Sequence, residues 1–257
     1  MNSFYGDYHT HTVFSHGKGT IWENVRRAKE MGLREIAITD HGLSHIAFGL
    51  DDDKVLRMRE TVEQVKAENP EINILLGVEA NLLGRNGVID VVNDEWDWFD
   101  IVLCGYHNFI WPENTKEAFG FWFPALFGNT LHIPVKEKRR ISNTDAYIKA
   151  IQNNPIDVIT HVGLGFPCYV KEVAAAAAEY GTFIELNGKH LCFTDKEFED
   201  MASTGVTFIA NSDAHSEGRI LEINAVRSLL QRTGYPIERL ANYGKRPAFR
   251  YCKPREE

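Results

Sequence analysis

The sequence predicts an α/β fold in which parallel strands alternate with helices. Three observations lead there. Short β-rich runs alternate with longer helical stretches along the 257 residues. The runs are apolar at nearly every position (IAI at 36–38, ILL at 74–76, IVL at 101–103, VIT at 158–160, FIA at 208–210), as strands buried on both faces must be. Histidines and acids gather where these runs end. A closed βα barrel accounts for the pattern, and an open doubly wound sheet does so nearly as well.

The elements follow in order. YGDYHTH (5–11) opens as a strand. IWENVRRAKEMG (21–32) reads as a helix closed by Gly32. EIAITDHG (35–42) is a strand. DDDKVLRMRETVEQVKAENP (51–70) is a helix with acids in its first turn and Pro70 beyond its end. INILLGVEANLL (72–83) and WFDIVLCGYH (98–107) are strands. SNTDAYIKAIQNN (142–154) starts like a helix capped by Ser142 or Asn143. DVITHVG (157–163) is a strand, followed by an alanine-rich helix around 174–179. TFIELNGKH (182–190) is a strand, DKEFEDMASTG (195–205) a helix, VTFIANSDAH (206–215) a strand and GRILEINAVRSLLQRTG (218–234) a helix. That makes seven strands. An aromatic-rich excursion at about 108–140 breaks the rhythm. It reads as an ordered cover over the sheet's active edge, as a subunit contact of an oligomer, or as a helix and loop on the outer wall.

Composition bounds the partners. Hydrophobic residues make up 44% and charged residues 25%, as in a soluble globular enzyme. No run spans a membrane, and the N-terminus lacks a secretory pattern. The cysteines Cys104, Cys168, Cys192 and Cys252 are scattered, which suggests reduced thiols and a cytoplasmic setting. A net charge of −8 disfavours long duplex nucleic acid.

The strand ends carry the chemistry. His9 and His11 alternate on the first strand, so both side chains take one face. His41 follows Asp40 at the end of the second, Glu79 ends the third, His107 the fourth and His161 the fifth. Asp213 and His215 end the seventh, and His16 lies in the first loop. In βα folds such ends converge on one mouth. Taken singly, each has a structural explanation: a hydrogen-bonded histidine pair, a turn capped by Asp40, a solvated Glu79, core histidines at 107 and 161. Together these would require several independent accidents at one edge. Imidazoles and carboxylates without thiolate suit zinc, manganese or iron. The set is too large for one ion, so two or three divalent ions fit, with a carboxylate such as Glu79 bridging a pair.

At these residues the sequence resembles the PHP (polymerase and histidinol phosphatase) family. His9-Thr10-His11, Thr39-Asp40-His41, Gly77-Val78-Glu79, the lone His107 and His161, and Asp213-Ala214-His215 occur in the family's order, over nearly the whole chain. The resemblance implies a distorted (β/α)7 TIM-like barrel as a single domain over 1–257, with a trinuclear centre. Carried over, it places one ion on His9, His11, Glu79 and Asp213. A second takes Glu79, His107 and His161, and a third His16, His41 and His215. Asp7 and Asp40 read as partners that orient histidines.

The chemistry expected is hydrolysis of a phosphate monoester by a metal-bridged hydroxide, histidinol-phosphatase-like, on a small phosphorylated metabolite. Arg85, Lys189 and Arg219 follow strands three, six and seven and are candidate phosphate contacts. Arg139 and Arg140 read as exposed, and His45, His132 and His190 stay unassigned, with His190 close to the mouth. No general acid can be named. Rival readings are a phosphodiesterase acting on short oligonucleotides, whose bases the aromatic segment could stack, and an amidohydrolase-like hydrolase of C–N or C–O bonds. A metal-binding protein without turnover is a third.

Overall fold

The computed structural model describes residues 3–91, 93–123 and 135–250. His132, Cys252 and the middle of the aromatic segment lie outside the described residues. Seven parallel strands follow chain order: β1 (Gly6–Asp7), β2 (Glu35–Ile38), β3 (Asn73–Asn81), β4 (Ile101–Gly105), β5 (Val158–Ile159), β6 (Phe183–Asn187) and β7 (Phe208–Asn211). The helices between them are α1 (Ile21–Glu30), α2 (Asp52–Glu68), α3 (Glu137–Asn153), α4 (Val170–Tyr180), α5 (Asp195–Ala202) and α6 (Asn224–Thr233). The sheet curls until its edges meet, where Thr10 bridges Ala214 in parallel register. His11 N–H donates to Ala214 O (2.8 Å) and Ala214 N–H to His9 O (3.2 Å). The result is the distorted (β/α)7 barrel, and the open-sheet alternative is set aside.

Local chemistry explains the helices. Thr20 and Glu23 form a capping box on α1, as Thr194 and Glu197 do on α5. On α2, Val55, Met58, Val62 and Val65 recur at helical spacing and turn one buried stripe to the sheet. Gly181, at φ 69°, ends α4 in the left-handed conformation that glycine adopts freely.

Four expectations change. β1 is shorter than YGDYHTH, because the chain leaves the ladder after Asp7 to make the closing seam. α3 begins at Glu137, so KEKRR opens the helix and neither Ser142 nor Asn143 caps it. Asn143 is buried and donates to Pro167 O instead (2.8 Å). Arg139 and Arg140 are half-buried, and Arg140 lies over the Tyr169 ring at 4.4 Å and donates to Cys168 O. α6 begins only at Asn224, because Leu221 takes φ 60° and gives its N–H to Asp7 (2.8 Å).

The barrel is solid. Tyr8, Ala37, Leu75, Ile101, Leu103, Val158 and Ile209 fill its interior. Residues 241–250 close its floor: Phe249 packs on Tyr8 (centroids 4.9 Å), and Arg246 reaches the fully buried Glu35 (2.8 Å). Arg250 donates to Ile156 O and Tyr180 O. The floor leaves the other end for chemistry.

Two outcomes follow from this packing. A Cβ at Gly77 would stand 2.5 Å from Ile101 Cγ2 and 2.8 Å from Thr39 Cγ2. Gly77→Ala is therefore expected to lower stability by about 1–3 kcal/mol, read from urea unfolding. Burial pushes the Asp157 carboxyl up to about 6, against the N–H groups of Arg250 and Val102 that it accepts. A raised folded-state value means the folded protein holds this proton more tightly than the unfolded chain. The group's contribution to stability therefore falls as pH rises from about 4 through 6. Carboxyl-carbon NMR should show Asp157 titrating near 6, and a midpoint near 4 would contradict the buried geometry.

Candidate metal centre

The closing seam sets two motifs side by side. Because Thr10 pairs with Ala214, the flanking residues His9, His11, Asp213 and His215 are delivered together. Thr10 turns the other way and stitches the seam to β2, with Thr10 N–H on Thr39 Oγ1 (3.1 Å) and Thr10 Oγ1 on Ala37 O (2.7 Å). His41 bridges Glu79 backbone to backbone, which carries the second motif onto the third. His161 (φ 26°) and Asp213 (φ 53°) hold left-handed backbone conformations unusual for residues with a Cβ. Strain of this kind gathers at functional sites.

Glu79 is the hub. Its Oε1 lies 2.8 Å from His161 Nε2 and 3.3 Å from both His9 Nε2 and His107 Nε2. Its Oε2 lies 3.0 Å from His41 Nδ1 and 3.6 Å from His11 Nε2. Asp213 Oδ1 is 3.4 Å from His11 Nε2, 3.8 Å from His9 Nε2 and 3.3 Å from His215 Nδ1. His9 Nε2 and His11 Nε2 approach to 3.1 Å. Close donor triangles are formed by His9, His11 and Glu79, by His41, Glu79 and His107, and by His11, His41 and His215. His16 stands beside the last, its ring 4.2 Å from that of His215 and stacked on His41 at 4.7 Å.

These donors suit divalent cations. Four ligands around a tetrahedral zinc lie roughly 3.3–3.6 Å apart, from bonds of about 2.0–2.2 Å. The distances from His9 and His11 to each other and to Glu79 and Asp213 run from 3.1 to 3.8 Å. An outer layer aims the lone pairs inward. His9 Nδ1 meets Glu185 Oε1 at 2.8 Å, and His107 Nδ1 meets Asn81 Oδ1 at 2.7 Å. Since the amide oxygen only accepts, His107 donates there and its Nε2 carries the lone pair. The buried Nδ1 of His11 has no hydrogen-bond partner among the described residues, while its Nε2 faces His9, Glu79 and Asp213.

The electrostatics agree. Glu79, Glu185 and Asp213 are all buried, and the lysine at the mouth, Lys189, is exposed. Burial works against charge on His9 and His161, yet Glu185 and Glu79 hold both above the usual histidine value. Burial, and then the charges of His107 and His9, act oppositely on Glu79, which ends well below the carboxylate range. Burial and neighbouring imidazoles push His45 down to about 4 and His215 to about 3, leaving both neutral at pH 7. A neutral imidazole is the form that ligates metal.

The expected site residues separate into groups. His9, His11, His16, His41, Glu79, His107, His161, Asp213 and His215 all come together. Asp7 and Asp40 touch backbone rather than imidazoles. Asp7 accepts from Ser212 N–H (3.1 Å), Ser212 Oγ and the His9 N–H, and so fixes the residue before Asp213. Asp40 accepts from Thr12 N–H (2.8 Å), Thr12 Oγ1 (2.6 Å) and Ser15 Oγ, and so fixes the loop carrying His16. Arg85 and Arg219 do not line the mouth: Arg85 makes a two-pronged pair with Glu117, and Arg219 pairs with Glu222 (3.3 Å). Lys189 does line it, with His45 and His190. Glu185, Asn81, Asn187 and Asn211 were not anticipated. Glu185 binds His9, the His161 N–H (2.9 Å), Asn187 (2.8 Å) and Asn211 (3.1 Å). A lone acid inside the apolar run FIEL was the available signal.

Known proteins resemble this chain in sequence and fold. The family model described as PHP domain matches residues 7–189. A protein named probable phosphatase from Shewanella sp. (strain MR-4) is 30% identical over 246 residues, covering 92% of this chain and 86% of its own. A probable phosphatase from Shewanella frigidimarina (strain NCIMB 400) is 29% identical over 249 residues, covering 93% and 89%. Histidinol phosphate phosphatase from Lactococcus lactis subsp. lactis Il1403, solved with zinc, L-histidinol and phosphate, shares the fold at TM-score 0.62 and 18% identity, covering 95% of this chain and 97% of its own. The chain belongs to the PHP domain family.

Proposed function

We propose that the protein is a metal-dependent phosphatase that hydrolyses a phosphate monoester of a small metabolite. The observation that carries this is Glu79, a buried carboxylate whose two oxygens face separate sets of imidazoles. The family, the relatives named phosphatases and the zinc-bound neighbour point the same way. In this reading two or three zinc, manganese or iron ions are held. His9, His11, Glu79 and Asp213 serve one; Glu79, His107 and His161 serve the next; His16, His41 and His215 serve the third, with His11 close to that corner. When bound, the ions supply an activated water and neutralise charge on the phosphate.

The chain's own groups do the positioning. Glu185 holds His9 and the His161 backbone at once, so it fixes ligands of two ions relative to each other. Asp7 and Asp40 anchor the backbone on either side. Lys189, exposed at the mouth, would receive a phosphate oxygen, while the guanidinium groups of Arg85 and Arg219 are engaged by carboxylates.

Phosphate release from a monoester panel, with zinc, manganese or iron added to stripped protein, tests the reading. p-Nitrophenyl phosphate should be cleaved and chelator should abolish the rate. Exclusive cleavage of the bis-ester would replace monoester by diester chemistry, and turnover of amides or lactones alone would move the protein to another reaction class. Glu79→Ala should lower kcat/KM by more than about 10³-fold, matching the several kcal/mol a bound ion supplies. It should also lower metal content measured by mass spectrometry. Glu185→Gln should weaken metal binding by about 10–100-fold, read by competition with a chelating dye.

A further inference from the structure

Above the donor cluster the mouth opens into a cleft of about 280 Å³, whose outer wall is not built like its floor. Phe48, Phe109 and Leu164 line it together with His45, Asn108, Lys189 and His190. The two phenylalanines are 42% and 58% exposed, a costly state for large apolar rings beside a polar centre. Both stand on fixed backbone. His45 bridges Ile110 in antiparallel fashion, Ile46 N–H donates to Phe109 O (2.8 Å), and Trp111 N–H donates to Ser44 O (2.8 Å). Trp122 Nε1 ties down the neighbouring Asn108 O at 2.6 Å. Phe48 N–H donates to His45 Nδ1 (3.2 Å), and the Phe48 ring stacks on His16 at 5.0 Å.

The charge of this wall is equally selective. Among the described lining residues the carboxylates are Glu79 and Asp213, both buried and faced by imidazoles. Among the described residues no acid stands at the outer wall to pair an ammonium, and Lys189 would repel one. Aromatic faces favour flat, apolar groups, and the part of the wall made by Phe48, Phe109 and Leu164 offers a sugar no hydrogen bond.

Resting on the phosphomonoesterase reading, we propose that the preferred substrates are phosphate esters of uncharged alcohols bearing a flat apolar or aromatic group. That group sits against Phe48 and Phe109. Cationic amino-alcohol phosphates, histidinol phosphate among them, and sugar phosphates are disfavoured. The reaction consumes one water: its oxygen forms the new bond to phosphorus, the bond to the leaving oxygen breaks, and the leaving alcohol gains a proton. Phosphate and the free alcohol are the products.

The test compares 2-phenylethyl phosphate with 2-aminoethyl phosphate and glucose 6-phosphate on the metal-loaded full chain. These all leave as primary alcohols, so intrinsic leaving-group differences stay small. The kcat/KM for the phenylethyl ester should exceed that for the aminoethyl ester by about 10–100-fold, as burial of one aromatic side chain allows. Phe48→Ala and Phe109→Ala should each lower that ratio by about fivefold or more, mainly through KM. Equal or better turnover of the aminoethyl or glucose ester overturns the proposal, as does a ratio that neither variant moves. A Phe109→Ala variant that dissociates a dimer in sedimentation while leaving the ratio intact would make the exposed ring a subunit contact instead. If no phosphate ester is turned over, the phosphatase reading fails separately. Calorimetry with 2-phenylethyl and 2-aminoethyl phosphonate then still decides, since tighter binding of the first supports the rim and the reverse overturns it.

Discussion

The site depends on one short parallel pairing, Thr10 against Ala214, where the two edges of the sheet meet. Every other strand pair joins neighbours in sequence, but this one joins residues roughly two hundred positions apart. Strand side chains alternate, so a pairing of the two middle residues presents the flanking ones together. The residues that close the barrel and the residues offered to the metals are therefore the same few. A slip of one position would turn His9 and His11 away from the centre.

Much of this was legible because it is periodic. The alternation of strands and helices, the apolar strand interiors and the acids and histidines at strand ends repeat along the chain, and all survive in the structure. What was not legible depends on distant partners. Arg85 follows a strand on the active side, but Glu117, which lies far along the chain in the aromatic segment, captures it. The start of α3 was misplaced because Asn143 resembles a cap while its amide is needed by Pro167 O. Glu185 sits within a strand, where sequence alone gives no hint that His9 and His161 lie behind it. Asp7 and Asp40 were expected against imidazole rings. They hold backbone N–H and hydroxyl groups instead, and place the ligands through the chain itself.

Electrostatics ties the layers together. Buried carboxylates are costly unless paired, and here they are paired mainly with imidazoles rather than lysine or arginine. Such a cluster can change its own charge. Without cations, the surrounding carboxylates raise the proton affinity of His9 and His161; with them, imidazole nitrogens serve as lone-pair donors. The outer layer of Glu185, Asn81 and Asp90 restricts the rings in either state: Asp90 accepts from Asn81 Nδ2 (2.5 Å), and Asn81 accepts from His107.

The floor built by residues 241–250 has a consequence in time rather than in space. Arg246 is the cation that meets the buried Glu35, and Arg250 satisfies carbonyls on the far side of the barrel. The seam likewise waits for Ala214. On a ribosome, the first two strands must therefore linger without their closing edge, and Glu35 without its arginine, until residues 214 and 246 have emerged. Contacts so remote in sequence make folding slow. The nascent chain, holding histidines and cysteines in the open, would meet cellular metal before its cage exists.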